Sequence, residues 1–76
     1  MFSVHSAVTR ETPSGLLLEI VKGTPIRFLY RDGMKRLGVV HEVNRTRNFA
    51  TIITVQTVRG YKNYRLHDMT QIEKVM

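Results

Sequence analysis

Between Arg27 and Arg65 the chain places nine basic residues, Arg27, Arg31, Lys35, Arg36, Arg45, Arg47, Arg59, Lys62 and Arg65, against only two acidic ones, Asp32 and Glu42. The whole 76-residue chain carries a formal charge of +6. This stretch therefore holds all of the excess, and the remainder is nearly neutral. Around Arg65 aromatic residues are interleaved with the cations Arg59 and Lys62, namely Tyr61 and Tyr64, whereas Tyr30 is expected to close the core with Phe28. A guanidinium fork beside an aromatic ring can grip a phosphate while a base stacks alongside. Arg27, Arg31, Arg45, Arg47, Arg59, Lys62 and Arg65 are accordingly the candidate nucleic-acid-binding residues. The same charges also serve a plainer end, since a half-buried sheet needs a solvated outer face and Lys and Arg supply it.

Other chemistry finds little footing. Asp32 belongs to a turn, Asp68 caps another, and Glu42 and Glu73 have no evident carboxylate partner in the sequence. No Ser/His/Asp or Cys/His constellation and no phosphate-cradling glycine loop is present. The chain has no cysteine, and His5, His41 and His67 lack the close spacing of a zinc motif. The expectation is a protein without catalytic activity, metal or cofactor, in a reducing, cytoplasmic setting. Its longest apolar stretch, Leu16 to Leu18, is far short of the about 20 residues that span a bilayer, so no membrane role is expected.

The elements that must carry these residues follow from punctuation and periodicity. FSVHSAV alternates weakly and reads as an arm or edge strand within residues 1–11. TPSGLLLEIVKG predicts a helix over 12–23: Thr12 can cap, Pro13 fits the first turn and Gly23 can terminate it. Leu16 with Ile20, and Leu17 with Val21, then stack at four-residue spacing. Such a short helix must lie on a sheet to persist. From Pro25 onward the pattern is β. Ile26, Phe28 and Tyr30 alternate with Arg27, Leu29 and Arg31, and Asp32-Gly33 suggests a two-residue type I′ turn. Leu37, Val39, His41 and Val43 then share one face, and Gly38 marks a bulge or sharp bend. NRTRN reads as a turn, FATIITVQTV as a central strand under the helix, Tyr61 to His67 as a fourth strand, DMTQ as a turn and Ile72 to Val75 as a fifth strand.

In this order of elements the chain resembles the WYL domain, a family of Sm-like barrels. The family opens on a short helix, a glycine-containing break, an apolar strand ending in Tyr and a basic hairpin, and LLLEIVKGTPIRFLYRDGMKR is similar to it in register. It closes on a turn followed by an aromatic residue, Arg, an apolar residue and Asp. Tyr64-Arg65-Leu66-His67-Asp68-Met69 is similar, with His67 inserted before Asp68. The resemblance runs from about Leu16 to Val75. The naming Trp-Tyr-Leu triplet is absent, its strand reading Thr51-Ile52-Ile53-Thr54-Val55, and the arginine usual after the Asp is replaced near Met69. The resemblance implies a regulatory part that senses a ligand or nucleic acid, and it matches Arg65 to the family's strand-four arginine. WYL domains commonly follow a helix-turn-helix module, for which 76 residues leave no room. A free-standing barrel of this kind looks like the small WYL-like proteins that phage genomes encode, which implies a compact binding module in a host cytoplasm.

The resulting expectation is a single domain, 1–76, mainly β with one short N-terminal helix, and an SH3-like or Sm-like five-stranded antiparallel barrel over 25–76. Its expected partners are nucleic acid, single-stranded in preference, or an acidic protein surface that meets the basic face or a strand edge. Sheet edges also offer a route to homo-oligomers.

Overall fold

A computed structural model describes residues 7–75. The chain forms seven strands: β1 (Ala7–Glu11), β2 (Leu17–Val21), β3 (Pro25–Tyr30), β4 (Lys35–Arg45), β5 (Thr51–Thr57), β6 (Gly60–Arg65) and β7 (Met69–Lys74). β1 and β2 pair as an antiparallel hairpin. The other five form one antiparallel sheet in the order β6-β5-β4-β3-β7. The only helical piece among the described residues is the 3-10 turn Leu66–Asp68.

The helix expected over 12–23 is therefore replaced by a hairpin. LLLEIV satisfies both periods, and strand alternation wins because it buries Leu18 and Ile20 while Leu17 and Glu19 face solvent. Gly15, at φ +88°, ends the Thr12–Leu16 turn in a conformation no helix uses. Of the expected N-terminal arm, Ala7–Glu11 is an edge strand, while Phe2 and Val4 lie outside the described residues.

Three hairpin turns share one construction. In Thr12–Leu16, Tyr30–Met34 and Thr46–Ala50, the first residue's N–H donates to the fifth residue's carbonyl and the fourth residue's N–H donates to the first residue's carbonyl. This is a type I turn closed by a left-handed residue, not the type I′ turn expected at Asp32-Gly33. Only Gly33 there has positive φ. Asp32 instead accepts the Met34 N–H at 2.9 Å through Oδ1 and the Arg36 guanidinium at 2.6 Å through Oδ2.

The join between β6 and β7 shapes the sheet. Laid flat, these two strands would stand four spacings apart, about 19 Å. Four residue steps from Arg65 to Met69 reach at most about 14 Å, and less through a 3-10 turn. The sheet must therefore roll, bringing Tyr64 of β6 onto Phe28 and Tyr30 of β3, each ring pair edge-to-face at 5.0 Å between centroids. Ile20, Ile26, Val40, Ile53 and Val55 fill the interior of the roll and are fully buried.

Two irregularities set the faces. The bulge expected at Gly38 sits instead at His41, between the Val40–Val55 and Glu42–Thr54 pairs. This switches the alternation, so Leu37 and Val39 face out while Val40 and Val43 face in, and the expected common face of Leu37, Val39, His41 and Val43 is broken. Gly38 marks a close approach: a Cβ there would overlap the Val55 side chain and lie 2.6 Å from the Gln56 carbonyl oxygen. In addition, β6 ends at Arg65 rather than His67, and Met69–Lys74 is strand where a DMTQ turn was expected, the 3-10 turn having already reversed the chain.

Gly38→Ala is expected to destabilise the fold by about 1 to 3 kcal/mol, because backbone stands in the way of the added methyl. Urea denaturation followed by circular dichroism reads this; an unchanged midpoint would contradict the packing described.

Candidate nucleic-acid interface

The cations predicted from sequence do not form one group. Arg27 lies on the outer face of β3, where both its Nε and Nη2 donate to Glu73 Oε1, at 3.2 and 2.8 Å. Arg31 reaches Asp68 at 3.5 Å. Arg36 is held by Asp32 and lies 5.8 Å from the centre of the Tyr30 ring. The Met34 N–H, and then Arg36, hold the Asp32 carboxyl below its ordinary pKa. What this contributes to stability is present above the usual carboxylate range and is lost as the pH falls through the lowered value.

Arg45, Arg47, Arg59, Lys62 and Arg65 make no ion pair with a described carboxylate. Strand register sorts them further. Ile53 pairs with Tyr64, and both are buried. Alternation then turns Tyr61, Asn63 and Arg65 outward and places Lys62, opposite Val55, on the other side of the strand. Arg45, two residues beyond buried Val43, likewise stands on the side opposite Arg65. Arg59 occupies the β5–β6 turn, two residues before Tyr61. Arg47 lies in the Thr46–Ala50 turn, at the end of the sheet where Arg65 pairs with Ile52.

What emerges is a single row along edge strand β6: Arg59, Tyr61, Asn63, Arg65, continued by the turn that carries Arg47. Tyr61 is 60% exposed and its ring lies 4.6 Å from that of His41, tilted by 48°. Asn63 Oδ1 accepts the Thr54 hydroxyl at 2.6 Å, which leaves the Asn63 amide hydrogens free to donate. Glu42 is the acidic group nearest this row in register, opposite Thr54 on the far side from Asn63.

Phe49 lies in the same turn as Arg47 and was not singled out from sequence as a contact. It occupies the left-handed place that glycine fills in the two sister turns, with φ +63° against +88° at Gly15 and +82° at Gly33. A bulky residue there is strained by about 1 to 2 kcal/mol, yet the ring is 79% exposed and buries almost nothing in return. The signal was legible: TPSG, YRDG and TRNF align as three turns of one type, and only the last ends without glycine. The tilted His41–Tyr61 pair was not legible, because it depends on the bulge.

Comparison of the chain with family models, with curated proteins and with solved structures found no match.

Phe49→Gly is expected to raise stability by up to about 1 kcal/mol, strain relief outweighing the added freedom of the unfolded chain. Thermal denaturation reads this, and a lowered midpoint would show that the ring supports the fold.

Proposed function

We propose that the protein is a non-catalytic module that binds single-stranded nucleic acid along β6. The observation that carries this reading is the outward row of Tyr61, Asn63 and Arg65, with Arg59 in the turn before it, in which cations without an ion pair to a described carboxylate flank an exposed aromatic ring and an amide donor. Arg59, Arg65 and Arg47 are spaced to track a backbone, Tyr61 and Phe49 offer rings for stacking, and Asn63 can donate to a base edge. A single strand suits the row better than a duplex, because stacking on Tyr61 and Phe49 needs unpaired bases. Arg27 and Arg31, engaged by Glu73 and Asp68, contribute only to the long-range field.

The rolled sheet and its strand order support reading the fold as a small SH3-like or Sm-like barrel, as the WYL resemblance implies, with a β-hairpin where that family carries a helix. Arg65, the position matched to the family's arginine, then ends β6 at the mouth of the 3-10 turn.

With three phosphate contacts, the logarithm of affinity should fall with the logarithm of salt at a slope of about −2, a loss of about 20-fold between about 50 and 200 mM. Arg65→Ala should flatten that slope by about 0.7. Tyr61→Ala should cost about 1 to 3 kcal/mol in affinity. Arg27→Ala should change little. Fluorescence anisotropy with a short labelled oligothymidylate tests all four, and no binding at the lower salt would remove the proposal.

A further inference from the structure

The outer face of β3, β4 and β7 differs in kind from that of β6. An outward row on a small antiparallel sheet is ordinarily polar. Here Val39 stands opposite Pro25, whose carbonyl accepts the Val75 N–H, and one row over Leu37 stands opposite Arg27, itself opposite Glu73. In the next row Lys35 stands opposite Leu29. Leu37 is 64% exposed and Val39 40%. Of these, Arg27, Leu29, Lys35, Leu37, Glu73 and Val75 line an open cleft of about 480 Å³.

The floor of the cleft is also strained. Between the Arg27–Glu73 and Leu29–Thr70 pairs, β7 carries an extra residue, and Gln71, which lines the cleft, adopts φ +52°. A non-glycine residue held in that region costs about 1 to 3 kcal/mol and gathers at ligand-contacting places. An apolar patch, a cleft and a left-handed glutamine thus coincide.

Charge decides what fits. The lining holds Arg27, Lys35 and Arg36 against Glu73. Lys35 makes no ion pair with a described carboxylate, and Arg27 spends both its hydrogen bonds on one oxygen of Glu73. A second copy of this chain would set these cations against their like. Nucleic acid would meet exposed Leu37 and Val39 with nothing to stack upon. An extended segment with apolar side chains alternating with carboxylates matches the unpaired groups of the lining: leucines against Leu29, Leu37 and Val75, and carboxylates toward Lys35 and the free edge of Arg27, since Arg36 is already engaged by Asp32.

We infer that this cleft is a second binding site, which takes an extended acidic-apolar segment of a partner protein. It shares no residue with the nucleic-acid row: the cleft is lined from β3, β4 and β7, whereas the row runs along β6, two strands beyond β4 on the same sheet.

The test titrates ¹⁵N-labelled protein with three short capped peptides: leucine alternating with glutamate, serine alternating with glutamate, and leucine alternating with lysine. The leucine-glutamate peptide is expected to shift the amides of Leu29, Lys35, Leu37, Gln71 and Val75, and the other two to bind at least tenfold more weakly. Leu37→Glu, a surface change, should lower its affinity at least tenfold. Lys35→Glu should shift preference toward the leucine-lysine peptide. Equal binding of the serine-glutamate peptide, shifts confined to Tyr61–Arg65, or no binding would each overturn the inference. None of these outcomes touches oligothymidylate binding, which is measured separately.

Discussion

The burial of Tyr64 is the constraint on which the arrangement rests. Its ring meets Phe28 and Tyr30 inside the roll, and its strand partner Ile53 is buried beside it. Side chains of a strand alternate, so fixing one residue fixes the whole strand. With Tyr64 inward, Tyr61 and Arg65 must face out. A slip of one residue would send both into the core and bring Lys62 to the surface row. The 3-10 link enforces the same result, because Leu66, the first residue of the turn, and Met69, the first of β7, are both buried and anchor the ends of β6 and β7. The fold and the proposed row thus have a common cause.

Magnitudes separate structural from functional charge. The Arg27–Glu73, Arg31–Asp68 and Arg36–Asp32 pairs are all solvent-exposed to some degree, and solvent screening leaves such pairs little weight in stability. They do little to hold the sheet, whereas burying one core isoleucine contributes about 1.5 to 3 kcal/mol. They neutralise Arg27, Arg31 and Arg36, whereas Lys35 and the cations toward β6 and the Thr46–Ala50 turn make no ion pair with a described carboxylate. The strain at Phe49 and Gln71 has the opposite sign. Both positions cost stability, and each lies on a surface proposed above to bind a partner.

Much of the β architecture was legible. Ile26, Phe28 and Tyr30 face inward as their alternation indicated, and the turns after Tyr30 and Arg45 sit close to where Asp32-Gly33 and NRTRN placed them. The helix over 12–23 was misread because Leu16, Ile20, Leu17 and Val21 fit a four-residue period as well as a two-residue one. The choice was made by β1, whose pairing with β2 no local pattern announced. Of the seven candidate cations, alternation could have separated Lys62 from Arg65 once Tyr64 was placed inside. Nothing in the sequence showed that Glu73 and Asp68, more than 30 positions away, would return to Arg27 and Arg31. The outward Leu37 and Val39 were hidden by the bulge at His41, a consequence of how β4 bends over β5 rather than of any residue type.

The most direct measurement is the solvent access of the individual tyrosines, by laser-induced nuclear polarisation with a flavin dye, which enhances only rings the dye can touch. A strong Tyr61 signal beside a silent Tyr64, at 60% and 6% exposure, is the result this account requires. Enhancement of Tyr64 with Tyr61 silent would mean that β6 is turned over, and the account of both fold and binding row would fail together.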